Sequence, residues 1–276
     1  MIKIEHSVFA LPFALIGAFW AAKGLPELRV LGLILLAMVT ARSSAMAFNR
    51  YLDAEIDARN PRTVSRSIPA GRLSRPFALG FTVVMALAFV VVTAFINRLT
   101  LLLSPVLLLV LLGYSITKRF TSMSHLVLGL ALGLAPVGAW VAVKGQLAWE
   151  PLWVCLLVLT WTAGFDIIYA CQDLDFDRRA GLHSIPARLG LMGSLRLSRV
   201  LHLIALTIMV YLGYRYFQHW IYWAGVLCAA LCLGYEHKLV WRGDLSKADM
   251  AFFTMNGAVS LLYGVGTLWA ILGQNL

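Results

Sequence analysis

The sequence predicts an all-α integral membrane protein with about nine helices crossing the bilayer. Of its 276 residues, 61% are hydrophobic and only 13% are charged, whereas soluble domains average about 45–50% and about 25%. Apolar runs long enough to cross a bilayer, about 17–25 residues each, recur from one end of the chain to the other. No Pro/Ser-rich or low-complexity linker separates them, so residues 1–276 are predicted to form a single membrane domain.

Nine apolar runs account for the predicted helices in order. They are Ser7 to Ala22, Val30 to Phe48, Phe77 to Ile96, Leu99 to Thr117, Met123 to Val143, Leu152 to Cys171, Val200 to Phe217, Trp220 to Tyr235 and Met250 to Leu272. The first run has features of a signal peptide, but it lacks a small-residue cleavage site and carries Pro12 in its middle. We therefore interpret it as a spanning helix.

The distribution of Lys and Arg predicts the orientation in the membrane. Basic loops near helix ends stay in the cytoplasm. If the N-terminus is inside, 18 of the 23 basic residues fall in cytoplasmic segments. We expect a multi-pass protein of the inner, cytoplasmic membrane, with both long polar loops facing the cytoplasm.

The net charge of +10 does not predict a nucleic-acid partner, because the basic residues are spread over loops beside membrane helices. Anionic lipid headgroups and a diphosphate are the partners that these loops suit. The four cysteines all lie in apolar runs without C-x-x-C spacing, which argues against a disulfide framework or a zinc site.

Seven of the 13 acidic residues fall in two short stretches, at the predicted cytoplasmic ends of the second and sixth runs. In the first stretch, Asn49, Asp53 and Asp57 are four residues apart and share one helix face. Arg42 lies on the same face, seven residues earlier and deeper in the membrane. An ionisable group inside a spanning helix is a functional-site hypothesis by default.

The second stretch repeats this arrangement. Asp166, Tyr169, Asp173 and Asp177 fall at i, i+3, i+7 and i+11 and form one stripe, while Asp175 points elsewhere. A single acidic stretch would suit a solvated helix face. Two matched stretches on the same side of the membrane indicate a cation between them, since neighbouring carboxylates repel.

Oxygen ligands without His or Cys favour a hard ion, Mg²⁺, which binds through a few carboxylates together with substrate phosphates. Basic residues that suit the phosphates lie close by in sequence. They are Arg62, Arg66, Lys118, Arg119 and Arg178, although each also suits a positive-inside anchor. Carboxylate, metal and cationic side chains together activate a diphosphate leaving group.

These residues carry a resemblance to the UbiA-type intramembrane aromatic prenyltransferases. The N-x-x-x-D-x-x-x-D pattern of Asn49 to Asp57, with R-T-x-x-R at Arg62 to Arg66, resembles the first signature of that family. Tyr-x-x-x-Lys-Arg at Tyr114 to Arg119 resembles the middle signature, and the segment from Tyr169 to Ser184 resembles the second. The run count and motif placement fit the family along the whole chain.

The resemblance implies a nine-helix fold around a central cavity that is open to lipid and covered by a cytoplasmic cap. It implies two Mg²⁺ ions, one held by Asn49, Asp53 and Asp57 and the other by Asp173 and Asp177. Asp53 and Asp173 would thus act in catalysis. It also implies that Arg66, Lys118 and Arg119 contact the diphosphate. Further candidates for substrate binding are Arg62, Arg178, Tyr114 and Tyr169.

For the acceptor, the resemblance places Arg42 near an aromatic carboxylate. Segments such as ARSSAMAFNRYLD are closer to a 4-hydroxybenzoate polyprenyltransferase-like subgroup, which includes the enzyme of the futalosine route to menaquinone. Two acceptors stay open, 4-hydroxybenzoate and 1,4-dihydroxy-6-naphthoate. Both are aromatic acids that carry hydroxyl groups.

The predicted reaction transfers a polyprenyl chain from polyprenyl diphosphate to the electron-rich ring, a step of ubiquinone or menaquinone biosynthesis. We assign Asp166, deeper on the second stripe, to the phenol or the ring proton. The alternative from another class is a transporter that uses Arg42 and Asp166 as an intramembrane path. A transporter needs polar groups that reach both membrane faces, whereas the polar residues here are concentrated on one side.

Overall fold

The computed structural model describes residues 7–273 and is built of helices, with no strand in this part of the chain. The α-helices are α1 (Ser7–Ala22), α2 (Leu28–Arg59), α3 (Arg75–Ala94), α4 (Arg98–Thr117), α5 (Ser124–Lys144), α6 (Glu150–Ala170), α7 (Leu174–Ala180), α8 (Ile185–Arg215), α9 (Trp220–Leu239) and α10 (Asn256–Gly273). Short 3₁₀ turns cover Cys171–Asp173 and Trp241–Gly243, and a π-helix, Met250–Met255, leads into α10.

The predicted all-α membrane architecture is confirmed. Within residues 7–273, seven helical segments are long and apolar enough to cross a membrane, and they contain all the long helices except α1 and α9. Helix α1 has only 16 residues. Helix α9 ends with Glu236, His237 and Lys238, which reduce its hydropathy. Both helices correspond to predicted runs, so they account for the difference between seven spans and the nine predicted.

Two helices extend well beyond the apolar runs that predicted them. Helix α2 continues past Phe48 to Arg59, so the first acidic stretch is helical throughout. Helix α8 begins at Ile185 instead of Val200 and is kinked at Gly190, which has a non-helical backbone conformation with φ of 70°. At its start, the Ser184 hydroxyl accepts a hydrogen bond from the Ala187 N–H. Hydrophobicity marks the part of a helix inside the bilayer, and capping residues mark where the helix begins.

Close helix contacts depend on small residues, as is common in membrane bundles. A Cβ atom on Gly17 of α1 would lie 2.2 Å from the Pro136 carbonyl oxygen of α5, and one on Gly129 of α5 would lie 2.4 Å from the Leu159 carbonyl oxygen of α6. Glycine is therefore required for the spacing of α1, α5 and α6.

The aromatic core lies on the side of the bundle formed by α1, α6, α8, α9 and α10. Its centre is Trp161, fully buried on α6, with ring centroids of Phe13 at 5.2 Å and Phe165 at 5.0 Å. The Trp161 indole N–H donates to Oδ1 of Asn256 at 2.8 Å. This packed half supports α6, which carries the second acidic stripe.

Candidate active site

A cavity of about 820 Å³ lies between α2, α4, α5 and α6 and reaches the segments that connect them. Charged side chains gather at one end, and aliphatic side chains such as Val141 and Leu152 form the other. Val39 on α2 and Val106 on α4 border the cavity and are each 61% exposed on the outside of the bundle. The cavity thus has a polar end, an apolar end and apolar residues that continue to the lipid-facing surface.

Helix α2 turns the first acidic stripe toward this cavity, as the four-residue spacing predicts. Arg42, Asn49, Asp53 and Asp57 all border it. The two aspartates are almost completely buried, at 1% and 3% exposure. Burial of a carboxylate is costly unless a cation or hydrogen-bond donors compensate its charge.

Asp53 is compensated by a residue at the end of α4 and by a residue of its own helix. Its Oδ2 accepts hydrogen bonds from Lys118 Nζ at 2.5 Å and from Asn49 Nδ2 at 3.1 Å. Arg119 lies at the edge, with Nη2 3.8 Å from Asp53 Oδ1, and that same Nη2 donates to the Leu52 carbonyl oxygen. Arg119 is exposed and does not border the cavity.

Asp57 pairs with the segment after α2. Arg66 Nη1 donates to its Oδ1 at 2.7 Å. The Thr63 hydroxyl donates to its backbone carbonyl at 3.1 Å, which folds the segment after α2 back over the helix end. Arg50, which the sequence pattern did not single out, lies 4.0 Å from Oδ2 and borders the cavity.

The second stripe also borders the cavity, but the helix that carries it is interrupted. Asp166 and Tyr169 belong to α6, Asp173 ends the 3₁₀ turn and Asp177 lies on α7. The prediction of one regular stripe is corrected in this respect. All four side chains still border the cavity, and Asp175 is exposed as predicted. The interruption by the 3₁₀ turn, which repeats every three residues, therefore leaves this face directed to the cavity.

Arg62 joins the segment after α2 to the second stripe. Its Nε donates to Asp173 Oδ1 at 2.8 Å, its Nη2 donates to Oδ2 of the same carboxylate, and its Nη1 donates to the Tyr169 hydroxyl at 2.9 Å. Asn60 Nδ2 also donates to Asp173 Oδ1, at 2.9 Å. Burial lowers the pKa of Arg62, but the hydrogen bonds and charge of Asp173 outweigh burial and raise that pKa above its ordinary value.

The carboxylates suit a hard cation. Asp53 Oδ1 and Asp57 Oδ2 are buried, and neither accepts a hydrogen bond within residues 7–273. No three His, Cys, Asp or Glu side chains in that range are close enough to form a metal site by themselves. Mg²⁺ binds through one or two carboxylates plus substrate phosphates and water. The unpaired carboxylate oxygens fit that mode, with Asn49 available as a further oxygen ligand.

Arg42 is the deepest charged residue on the α2 face of the cavity. Its guanidinium makes no hydrogen bond or ion pair within the described residues, and its Nε is buried without a partner. A buried guanidinium without a partner is expensive. It is therefore placed to receive an anionic group in the cavity.

Asp166 has a partner that the sequence pattern missed. His125 Nδ1 lies 2.7 Å from Asp166 Oδ2, and both residues border the cavity. His125 is a single histidine in an apolar run, more than forty positions from Asp166, so no spacing rule connects the two.

The sequence analysis also missed Asn60, which donates to Asp173. Asn60 lies only three residues after Asp57, and that spacing is the signal that would have found it.

Arg178 is not brought to the cavity. It is exposed on α7, and its Nε donates to the Ala187 carbonyl oxygen at 3.2 Å. The expectation that it contacts the diphosphate is corrected, because Gly181 ends α7 in a left-handed turn and Arg178 is directed toward the start of α8. Apart from Arg119, the remaining predicted substrate ligands, Tyr114 and Lys118 among them, do border the cavity.

Comparison with known proteins agrees with this geometry. The model of the UbiA prenyltransferase family matches residues 10–258. The 4-hydroxybenzoate octaprenyltransferase of Photobacterium profundum is 30% identical over 256 residues, which cover 93% of this chain and 88% of that protein. The 4-hydroxybenzoate octaprenyltransferase of Vibrio cholerae serotype O1 is 32% identical over 252 residues, covering 91% and 88%.

Two solved structures have the same fold. The apo structure of a UbiA homolog from Aeropyrum pernix K1 aligns with a TM-score of 0.89 at 33% identity and covers 100% of both chains. A UbiA homolog from Archaeoglobus fulgidus bound to GPP and Mg²⁺ aligns with a TM-score of 0.76 over 96% of this chain and 95% of that one; at 20% identity this is a likeness of fold alone. The chain therefore belongs to the UbiA prenyltransferase family, a family of multi-pass membrane enzymes.

Proposed function

We propose that this enzyme transfers a polyprenyl chain from polyprenyl diphosphate to the ring of an aromatic acid that bears hydroxyl groups, in ubiquinone or menaquinone biosynthesis. One observation carries the proposal. Arg62, Arg66 and Lys118 each pair with a buried or half-buried aspartate at the polar end of a cavity whose opposite end is apolar. Such a cavity suits a substrate with an anionic head and a long hydrocarbon tail.

The charged end would hold the diphosphate together with two Mg²⁺ ions. Asn49, Asp53 and Asp57 would hold one ion, and Asp173 and Asp177 the other. When bound, Mg²⁺ neutralises charge on the diphosphate and favours its departure. Three cationic residues now pair with these aspartates: Arg62, Arg66 and Lys118. With substrate bound, they would turn to the phosphate oxygens and stabilise the charge that develops on the leaving group.

The apolar part of the cavity would hold the prenyl chain and exclude water from the allylic cation. Tyr114 and Tyr169 border the polar end, where the allylic carbon would lie. The chain can enter from the bilayer past Val39 and Val106. The bilayer therefore surrounds the enzyme and also supplies its donor substrate.

The acceptor would meet the allylic carbon one layer below the diphosphate. Arg42 lies about 10 Å deeper than Asn49, from seven residues of helix rise, and its unpaired guanidinium suits a carboxylate in bidentate geometry. Both 4-hydroxybenzoate and 1,4-dihydroxy-6-naphthoate present a carboxylate and a phenol on one ring system. The 4-hydroxybenzoate octaprenyltransferases among the relatives support this class of acceptor.

The orientation of the site is proposed to be cytoplasmic, in the inner membrane, because the segments that carry Arg62, Lys118 and Asp177 belong to the basic loops. Transport is not proposed. The charged residues that border the cavity gather toward one end, and Lys144 and Glu150 at the other end do not border it.

Product analysis tests the proposed function. Purified enzyme in detergent or lipid receives Mg²⁺, a polyprenyl diphosphate and each of the two acids in separate reactions, and the products are identified by mass spectrometry. We expect a product whose mass equals that of the acid plus the prenyl group minus the ring hydrogen that it replaces, formed with Mg²⁺ and abolished by EDTA. Absence of that product with both acids, from a folded enzyme that binds the diphosphate, would contradict the aromatic-acid assignment.

A further inference from the structure

A buried histidine lies directly against the carboxylate that the sequence assigns to proton transfer. His125, the second residue of α5, contacts Asp166 of α6 through Nδ1 and Oδ2 at 2.7 Å. The His125 side chain is 6% exposed and that of Asp166 is 21% exposed. Asp166 is therefore the more accessible member of the pair, and His125 is its support.

The atoms of the pair have distinct roles. An ionised carboxylate only accepts hydrogen bonds, so the proton in the contact belongs to His125 Nδ1. Asp166 Oδ1 accepts no hydrogen bond within residues 7–273 and is not among the buried unpaired atoms. One oxygen is thus held by the imidazole, while the other remains available to a substrate.

The pair borders the same cavity as Arg42, the residue proposed for the acceptor carboxylate. Asp166 precedes Asp173 by seven residues, and Arg42 precedes Asn49 by the same number. On α2 these seven residues correspond to about 10 Å of helix rise, whereas Asp166 is separated from Asp173 by the end of α6 and the 3₁₀ turn. Arg42 and both members of the His125–Asp166 pair are therefore available to an acceptor in this cavity.

Packing of α5 against α6 does not require this pair. The two helices already approach closely at Gly129, next to the Leu159 carbonyl, and at Gly133, next to the Cys155 carbonyl. An ionisable pair inside a bundle of spanning helices is costly and is usually retained for function. A role in chemistry explains the pair better than a role in helix association.

We propose that His125 is a positioning residue for deprotonation of the acceptor ring. It holds Asp166 so that Oδ1 takes the ring proton after prenyl transfer; this inference rests on the proposed function. The prenyl C–O bond breaks with its electron pair on the diphosphate oxygen, and ring π electrons form the new C–C bond. The C–H electron pair then returns to the ring as the proton moves to Oδ1, and the carboxyl later releases that proton to water.

The experiment compares His125→Leu, which removes the donor, with His125→Asn, which keeps a donor near the position of Nδ1. The control is His219→Gln, at the N-terminal cap of α9 and away from the cavity. Wild-type turnover is measured first with geranyl diphosphate, Mg²⁺ and each acid. The variants are then assayed with whichever acid is turned over, unlabelled and deuterated on the ring, so that failure of the proposed function appears in the wild type and not in the variants.

We expect His125→Leu to reduce kcat by roughly 100-fold or more, the usual contribution of a positioned acid or base, with little change in the KM for geranyl diphosphate. The deuterium isotope effect on kcat should be larger than in the wild type, because proton loss becomes rate-limiting. His125→Asn should recover part of the rate, and His219→Gln should behave as the wild type.

Two results would overturn the proposal. One is a loss of kcat in His125→Leu without any increase in the isotope effect. The other is equal damage in the Asn and Leu variants. If His125→Leu does not fold, Asp166→Asn is assayed in the same way, and an unchanged isotope effect in that variant would also overturn the proposal.

Discussion

At the scale of single residues, the main feature of the site is a set of aspartates at the polar end of the cavity, each paired with a cationic side chain. Without a substrate, Asp57 pairs with Arg66, Asp53 with Lys118 and Asp173 with Arg62. The same aspartates are the proposed Mg²⁺ ligands, and the same cations are the proposed diphosphate ligands. We therefore propose that the ion pairs hold both sets of side chains in place until metal and diphosphate separate them.

Loss of one carboxylate from either stripe should stop turnover. We expect Asp53→Ala and Asp173→Ala each to reduce prenyl transfer to background, because each removes a proposed metal ligand and leaves a cation unpaired. Product formation and a thermal melt of the purified variants check this. A folded Asp53→Ala enzyme with activity near that of the wild type would contradict the metal assignment, as would full wild-type turnover in EDTA.

Arg42 should act on the acceptor and not on the donor. We expect Arg42→Ala to raise the KM for the acid by roughly 10- to 100-fold, since a hydrogen bond to a charged group contributes about 1.5–3 kcal/mol. The KM for polyprenyl diphosphate should change little. Arg42→Lys should restore little of the affinity for the acid, because lysine lacks the planar fork of guanidinium. A defect confined to the diphosphate KM would exclude Arg42 from the acceptor site.

Regular spacing explains which site residues could be predicted from sequence. Arg42, Asn49, Asp53 and Asp57 lie on one continuous helix, so positions four and seven apart were enough to place them. His125 could not be found in this way, because its contact with Asp166 depends on how α5 packs against α6. The direction of Arg178 likewise depends on where α7 ends.

At the scale of secondary-structure elements, hydrophobicity predicted the central part of each spanning helix but not its ends. Helix α2 projects beyond the apolar run and carries the first stripe, and the 3₁₀ turn at Cys171–Asp173 interrupts the second. Polar sequence at a membrane surface is compatible with either helix or loop. Tertiary contacts such as Arg62 with Asp173 decide between them, and a single sequence does not display these contacts.

The close contact between α5 and α6 at Gly129 predicts that a larger residue there destabilises the protein. Gly129→Ala should destabilise the protein by about 1–3 kcal/mol, the usual cost of overpacking, because its Cβ would lie 2.4 Å from the Leu159 carbonyl oxygen. Gly80→Ala on α3 is the matched control, since a Cβ there meets no atom within 4 Å. Thermal unfolding in detergent should show a lower Tm for the first variant and no decrease for the second. Equal Tm values would mean that α5 and α6 can separate without cost.

For the molecule as a whole, composition and the distribution of basic residues predicted a single membrane bundle with a one-sided polar surface. The all-α membrane fold is confirmed, whereas the single domain and the side of the membrane that the polar end faces remain predictions. Ser65, exposed in the segment after α2, and Gln146, exposed between α5 and α6, lie at opposite ends of the spanning helices. They are suitable positions for testing the orientation.

Cysteine labelling checks this topology. In a background without the four native cysteines, Ser65→Cys should resist an impermeant maleimide added to the periplasmic side of intact cells, and Gln146→Cys should react. After the membrane is permeabilised, both should react. Labelling of Ser65→Cys in intact cells, with protection of Gln146→Cys, would place the polar end outside the cytoplasm.

The central claim, that two aspartate stripes hold the metal ions and the diphosphate between them, can be observed directly. Crystals grown with Mn²⁺ and a thio-analogue of geranyl diphosphate that does not ionise allow the ions to be located by anomalous scattering. We predict one peak in contact with Asp53 and Asp57 and another in contact with Asp173 and Asp177, with the diphosphate between them and the present ion pairs separated. Bound diphosphate with no metal at either stripe, and with Arg66 and Lys118 still paired to Asp57 and Asp53, would contradict the account.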